Sequence, residues 1–290
     1  MSRISNVNRS SLKADCKNCF GLCCVALFFS AQYGFPIDKK AGQPCKNLKS
    51  DFCCNVHKNL NELGYKGCIA YDCFGAGQKV AQVTFEGCDW IKYPNSQNQM
   101  FEVFLMMRQF QELLWYLTEA FALQQAHELH EKINSMIEIT EGYTSLSPDA
   151  LMKLDIDKHW DDVNALLIQT SELVRGQMNK ELKLPFKYKK TFGGRADLFA
   201  KDLRKTNLSG ANLRGACLIA ADLRDLDLSR TDFIGADFRD ADLRGANLSE
   251  SIFLTQSQIN VAKGDSNTEL PPPLMRPMHW LNEKNMIKSS

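Results

Sequence analysis

The sequence predicts a multidomain chain: a small cysteine-rich metal-binding domain, an α-helical connector and a repeat solenoid closed by a C-terminal cap. Three observations lead there. Ten of the eleven cysteines fall between Cys16 and Cys88. Apolar residues recur at three- and four-residue steps after residue 98. A five-residue repeat then runs from about 191 to 255. The expected boundaries are 1–95, 96–190, 191–255 and 256–290.

Composition sets the limits. Hydrophobic residues make up 44% of the 290 and charged residues 24%, an ordinary globular balance that argues against global disorder. The 35 basic and 34 acidic residues leave a formal net charge of +1, which argues against a nucleic-acid or anionic-membrane partner. The longest dense apolar runs, 23–29 and 103–107, fall far short of the ~20 residues a membrane helix needs. Residues 1–15 are polar and lack the apolar core of a secretory signal, so a cytoplasmic location is expected. In a reducing compartment, clustered cysteines serve more often as metal ligands or redox groups than as disulfides.

The cysteine spacing is Cys16-x2-Cys19-x3-Cys23-Cys24, then Cys45, then Cys53-Cys54-x2-His57, then Cys68-x4-Cys73. A two-residue spacing lets two thiolates converge on one metal from a tight turn. Neighbouring thiolates repel, so a bound cation is their natural stabiliser. Soft sulfur ligands favour zinc or an iron–sulfur cluster over magnesium or calcium.

This stretch is similar to a bacterial family of zinc- or iron-chelating proteins with eight cysteines. The matching residues are Cys16, Cys19, Cys23 and Cys24, then Pro44-Cys45-x2-Leu48, then Cys54, Cys68 and Cys73. His57 stands where the family carries an aromatic residue, and the family's Arg-Pro is absent between 61 and 67. The resemblance implies metal ligation by those eight cysteines. Adjacent Cys23 and Cys24 do not readily point at one tetrahedral ion, which favours two four-ligand sites or a shared cluster. His57 is a further candidate ligand, although an ordinary hydrogen-bonded histidine is the commoner case. Cys53, Cys88 and Cys217 have no place in the motif and are expected to be small buried residues. Gly75-x-Gly77 is too short for a phosphate-binding fingerprint and reads as a turn.

The connector has no proline or glycine between 99 and 139, and Phe101, Phe104, Leu105, Phe110, Leu113, Leu114, Leu117 and Phe121 recur at helical spacing. A second helix is expected at Ser147-Pro148-Asp149, with Ser147 as cap, and a third from about Asp157. These helices are expected to join the two ends or to make a homodimer face. His127, His130 and Glu131 lack zinc-protease spacing and read as a satisfied surface cluster.

In the repeat, the central residues run Leu198, Leu203, Leu208 and onward every five positions to Phe253. Mostly small residues lie two positions earlier, with Asp or Asn between the two in ten of twelve repeats. A period of five fits neither helix nor plain strand; it fits a coil that turns a corner every five residues and stacks as a solenoid. The pattern A(D/N)Lxx resembles the pentapeptide-repeat family. That resemblance implies a right-handed quadrilateral β-helix with four repeats per coil, hence about three coils. Residues twenty apart then stack, placing Arg204, Arg224 and Arg244 in one ladder beside Asp202, Asp222 and Asp242. Neutralised solvated faces are the commoner outcome for such ladders, with an arginine-lined anion site as the alternative. After Phe253 the residues 255–264 read as a short helix ended by Gly264, and the proline-containing tail to Trp280 reads as an extended cap.

Nothing in the chain assembles a general acid–base pair or a nucleophile triad, so the reading favours a non-enzymatic binding or scaffolding protein. Catalysis by a Cys–His57 pair would need a nucleophile not tied to metal. The expected partner is another, unidentified protein. One rival is an iron–sulfur or thiol redox protein. A second is a gyrase-protecting DNA mimic, disfavoured because residues 191–255 hold nine basic against ten acidic residues on a short rod.

Overall fold

The computed structural model describes residues 9–176 and 195–281. Parts of four expectations lie outside the described residues: 1–8 of the polar N-terminus, 177–190 of the connector, 191–194 of the repeat and 282–290 of the tail. The chain divides into two compact units, Met1–Thr170 and Ser171–Ser290.

The helices, in chain order, are α1 (Leu22–Ala26), α2 (Lys66–Ile69), α3 (Ala76–Lys79), α4 (Gln97–Ala122), α5 (His130–Tyr143), α6 (Pro148–Leu151), α7 (Ile156–Gly176) and α8 (Gln256–Asn260). The first unit is organised by α4. Its apolar positions Met100, Val103, Phe104, Met107 and Phe110 are fully buried, and they pack with Leu22 and Val25 of α1 and with Ala76 of α3. Trp90 ties the loops in: its Nε1–H donates to the Phe20 carbonyl at 2.8 Å, and its ring meets Phe52 at 5.8 Å and Phe101 at 5.9 Å. The cysteine-bearing segment and α4 therefore share one core. Arg9 holds the start of the described chain to α4 through Glu119 at 2.8 Å and the face of Trp115 at 4.4 Å.

The breaker-free stretch 99–139 is not one helix. Leu123 is extended, a 3₁₀ segment Gln124–Leu129 follows, and α5 packs back against α4. Pro148 occupies the first turn of α6, but Ser147 makes no side-chain cap bond and the helix ends after four residues. His127 and Glu131 are exposed, but the reading of a satisfied cluster needs correction at His130. The His130 ring stacks on Phe121 at 4.8 Å, and its buried Nε2 has no hydrogen-bond partner.

The second unit corrects the expected fold class. Among the described residues there is no β-strand and no sheet, so the repeat does not form a right-handed quadrilateral β-helix; helices are the regular elements here. The repeat forms a stack of turns joined by isolated parallel bridges between residues twenty apart, such as Asp202↔Asp222 and Asp222↔Asp242. The physical reason lies at the corners. Ala200, Ala220, Asp225, Arg230 and Asp240, with Gly210, Gly215, Gly235 and Gly245, all have positive φ. At most one residue per repeat pairs, and the next corner removes its neighbours from any ladder before a strand can extend.

The Asp and Asn positions build those corners, beyond facing water. In all ten repeats that carry one, Oδ1 accepts the backbone N–H two residues on, at 3.0–3.3 Å. This is the local hydrogen bond by which short polar side chains define turns. Central residues from Leu198 to Phe253 are at most 3% exposed and fill the axis. Beyond them, Thr255 and Gln258 form a capping box on α8. Gly264 does not end that helix; its missing side chain makes room for Trp280, whose ring would lie 2.4 Å from an added Cβ. Lys263 and Glu269 bridge to Asp242 and Asn247, carrying the stack past the last repeat.

Candidate metal centre

The cysteines are brought together by tight turns around one cavity of about 130 Å³. Cys16 opens a 3₁₀ turn capped by Asp15, which accepts from Lys17 N at 3.1 Å and Asn18 Nδ2 at 2.7 Å. Cys19 precedes Gly21, whose left-handed backbone starts α1 and delivers Cys23 and Cys24. The Leu48↔Cys54 bridge returns Cys54 to the site, α2 carries Cys68, and Cys73 sits before the left-handed pair Phe74 and Gly75 that begins α3. Cys16, Cys19, Cys23, Cys24, Cys54, Cys68 and Cys73 line the cavity, with His57 and Tyr71. Cys45 is buried next to them, its N–H bonded to the Cys24 carbonyl at 2.9 Å. All eleven cysteines are free thiols.

The thiols form one connected set, in which Cys16 also has Cys53 and Cys54 beside it. Cys19 has Cys73 and Cys16 beside it, and the Tyr71 hydroxyl has Cys23 and Cys73 beside it. Cys24 and Cys54 hydrogen-bond to each other, and Cys68 has Cys45 and Cys54 beside it. Cys23 and Cys24 hydrogen-bond to each other, which joins the sulfurs around Cys19 to those around Cys54.

Burial pushes the Cys19 and Cys68 thiols up to about 12. The hydrogen bond that Cys24 shares with Cys23 drives Cys24 upward, and the bond with Cys24 drives Cys54 upward. Backbone N–H groups act in the opposite sense: those of Leu22 and Gly21 donate to Cys19, those of Gly77 and Gly75 to Cys73, and those of Val56 and His57 to Cys54. Donors aimed at sulfur favour its ionised form.

Among the described residues, no three His, Cys, Asp or Glu side chains are already arranged to hold a metal ion. The sulfurs ring the cavity without closing on a point. The donor chemistry nevertheless fits a soft cation: the set is thiols, with N–H groups placed to stabilise thiolates. The backbone approach fits as well, since a Cβ on Gly77 would fall 2.5 Å from Cys19 Sγ.

Sequence reasoning missed three residues. Lys39 is buried with its Nζ donating to the carbonyls of Val25 (3.1 Å), Leu27, Lys40 (3.1 Å) and Gln43 (2.8 Å), and it sits 4.6 Å from the Phe29 ring centre. Burial lowers its pKa, and the charges of Cys45, Cys24 and Cys23 oppose that shift. Arg108 donates to the Asp72 carbonyl at 2.9 Å and to Glu112 at 2.9 Å, and lies over the Tyr71 ring. The Tyr71 hydroxyl is buried without a hydrogen-bond partner, and burial holds its pKa well above 10. No spacing rule in the sequence marks any of the three. Cys53 and Cys88 are half-buried and not core residues, and Cys217 takes a bridging position in the repeat.

In the second unit the arginine ladder is paired. Arg204 binds Asp202 at 2.8 Å and Asp222 at 3.3 Å; Arg224 binds Asp222 at 2.7 Å; Arg244 binds Asp242 at 2.5 Å. Its hydrogen bond to Arg204 holds exposed Asp202 at about 2. No helix among the described residues is long and apolar enough to cross a membrane.

Pentapeptide repeats are recognised in eight copies, over residues 195–225 and 216–253. The uncharacterized protein YybG of Bacillus subtilis (strain 168) is 53% identical over 269 residues, spanning 93% of this chain and 95% of that one. That identity over nearly the whole of both chains, cysteine segment and repeats together, places this protein in the same family as YybG, with pentapeptide repeats in its C-terminal region.

Proposed function

We propose that the first unit binds a thiophilic metal, zinc or an iron–sulfur cluster, and that the repeat unit serves as a scaffold for a protein partner. One observation carries the metal reading. Seven of the eight motif cysteines line one cavity, the eighth is buried beside them, and three of the eight receive backbone N–H bonds. Eight thiols in one connected set supply enough ligands for two four-thiolate groups or for one shared cluster. A thiolate-bound metal supplies folding free energy and, if it is iron, an electron site. His57 is exposed at the cavity rim, where it would act as a substitute ligand.

The scaffold reading rests on the repeat itself. Its ladder arginines are already matched by aspartates, which disfavours an anion site, and its balance of charge disfavours DNA mimicry. The test is anaerobic purification of the untagged protein, with zinc, iron and acid-labile sulfide measured beside a Cys16→Ser/Cys24→Ser variant. Metal that falls in the variant supports the reading, and sulfide with the iron selects the redox form. No metal in either protein overturns it.

A further inference from the structure

We propose that Tyr71 is a positioning residue of the cysteine site, its hydroxyl donating a hydrogen bond to a metal-bound sulfur on the Cys23/Cys73 side of the cavity. This inference rests on the metal reading above and adds to it a residue outside the ligand set.

Tyr71 lines the cysteine cavity, and its hydroxyl is buried with no hydrogen-bond partner. A buried tyrosine hydroxyl ordinarily finds one. Its place is fixed from behind. The Arg108 guanidinium lies 5.4 Å from the ring centre and is itself held by the Asp72 carbonyl and by Glu112, both at 2.9 Å. Asp72 Oδ1 in turn accepts the Phe74 N–H at 2.8 Å, so the segment from Tyr71 to Phe74 is held as one piece. The sulfurs of Cys23 and Cys73 line the same cavity, outside hydrogen-bond reach of the hydroxyl in the metal-free arrangement. A neutral thiol is a weak acceptor, whereas a metal-bound thiolate carries the charge that makes a hydrogen bond strong. The hydroxyl therefore gains a strong partner when the sulfurs close on a cation and one of them comes within its reach. Donors placed behind metal ligands act in this way: they orient the ligand and strengthen its bond to the metal.

This assignment predicts opposite effects of Tyr71→Phe in the two forms of the protein. In the metal-free form the substitution removes an unpartnered buried hydroxyl and keeps the ring, so the urea midpoint holds or rises. With zinc, chelator competition shows affinity reduced on the order of ten- to hundredfold, the range seen when such supporting donors are lost. Cobalt(II) in place of zinc reports the same change as a shifted thiolate-to-cobalt charge-transfer band. A residue that only fills space would lower stability in both forms together and leave that band unmoved. Zinc bound equally well by wild type and Tyr71→Phe overturns the role of Tyr71 and leaves the metal reading standing. Wild-type protein that takes up no zinc, cobalt or iron overturns both.

Discussion

Replacing Gly77 by alanine tests whether the cysteine cavity is built against α3 as described. Gly77 is buried in α3 with a helical backbone, so alanine meets no conformational objection. Its Cβ would fall 2.5 Å from Cys19 Sγ and 3.3 Å from Cys19 Cβ. Non-bonded heavy atoms settle near 3.5–4.0 Å, so the sulfur must retreat by about 1 Å. Cys19 resists that movement because the Gly21 and Leu22 N–H groups hold its sulfur. In the metal-free protein, overpacking costs about 1–3 kcal/mol, and better helix propensity returns about 1 kcal/mol. The net loss is about 0–2 kcal/mol. Gly142→Ala is the control: it also lies in a helix, but nothing stands within 4 Å of its added Cβ. It should gain up to about 1 kcal/mol. Urea unfolding of the two variants should therefore differ by about 1–3 kcal/mol. Zinc competition should show a further effect. Metal–ligand distances tolerate only about 0.2 Å, so a 1 Å displacement should weaken binding about tenfold or more. If Gly77→Ala is as stable as Gly142→Ala and binds zinc as wild type does, Cys19 does not lie against α3 and the described site is wrong.

Metal uptake should release protons, because Cys19 and Cys68 titrate near 12 and Cys24 and Cys54 are also raised, leaving the thiols protonated at neutral pH. Apparent zinc affinity should rise with pH by about one decade per unit for each thiol that ionises, and a flat profile from about pH 6 to 8 would contradict this. His159 gives a second pH effect. Thr140 Oγ1 donates to the Met136 carbonyl, so it must accept from a protonated Nε2 of neutral His159 at 2.9 Å. Burial lowers the folded pKa of His159, so the unfolded chain binds the extra proton first. The stability it contributes is present above about pH 6.5 and is lost as pH falls through the lower folded value. Urea midpoints should rise with pH across that window, and His159→Gln should remove that rise. Trp280→Ala should cost the repeat unit about 3–5 kcal/mol, since the ring is 6% exposed, packs on Gly264 and donates to the Ala262 carbonyl at 2.9 Å. An unchanged unfolding transition would show that residues 270–280 do not close the stack.

Much of the repeat is legible in the sequence because it is periodic. Large residues such as Leu223 and Phe238 and small ones such as Ala221 and Ala236 alternate toward an axis, and the structure buries them. Secondary structure was the harder inference. A β-helix requires residues that stay extended beside each other. The positive-φ corners at Ala200, Asp225 and Asp240, set by Asx hydrogen bonds, leave single bridges instead. A polar residue at a fixed register can face water or define a turn, and periodicity alone does not distinguish the two. The cysteines were legible through their spacing, since short intervals and turn glycines already restrict where sulfurs can go. Gly77 reads in the sequence as part of a turn but lies in a helix, and its significance depends on Cys19, which lies 58 positions earlier. Lys39, Tyr71 and Arg108 left no signal for the same reason. Their roles come from carbonyls, rings and sulfurs gathered across the fold, and no local pattern of residue types records that gathering.

The most direct test of the central claim is X-ray absorption at the metal edge of the anaerobically purified full-length protein. A thiolate site gives a sulfur-dominated first shell near 2.3 Å, four sulfurs per metal, that is lost in the Cys16→Ser/Cys24→Ser variant. A first shell of oxygen or nitrogen, unchanged by that substitution, would show that the metal is held elsewhere and that the cysteine cavity is not its site.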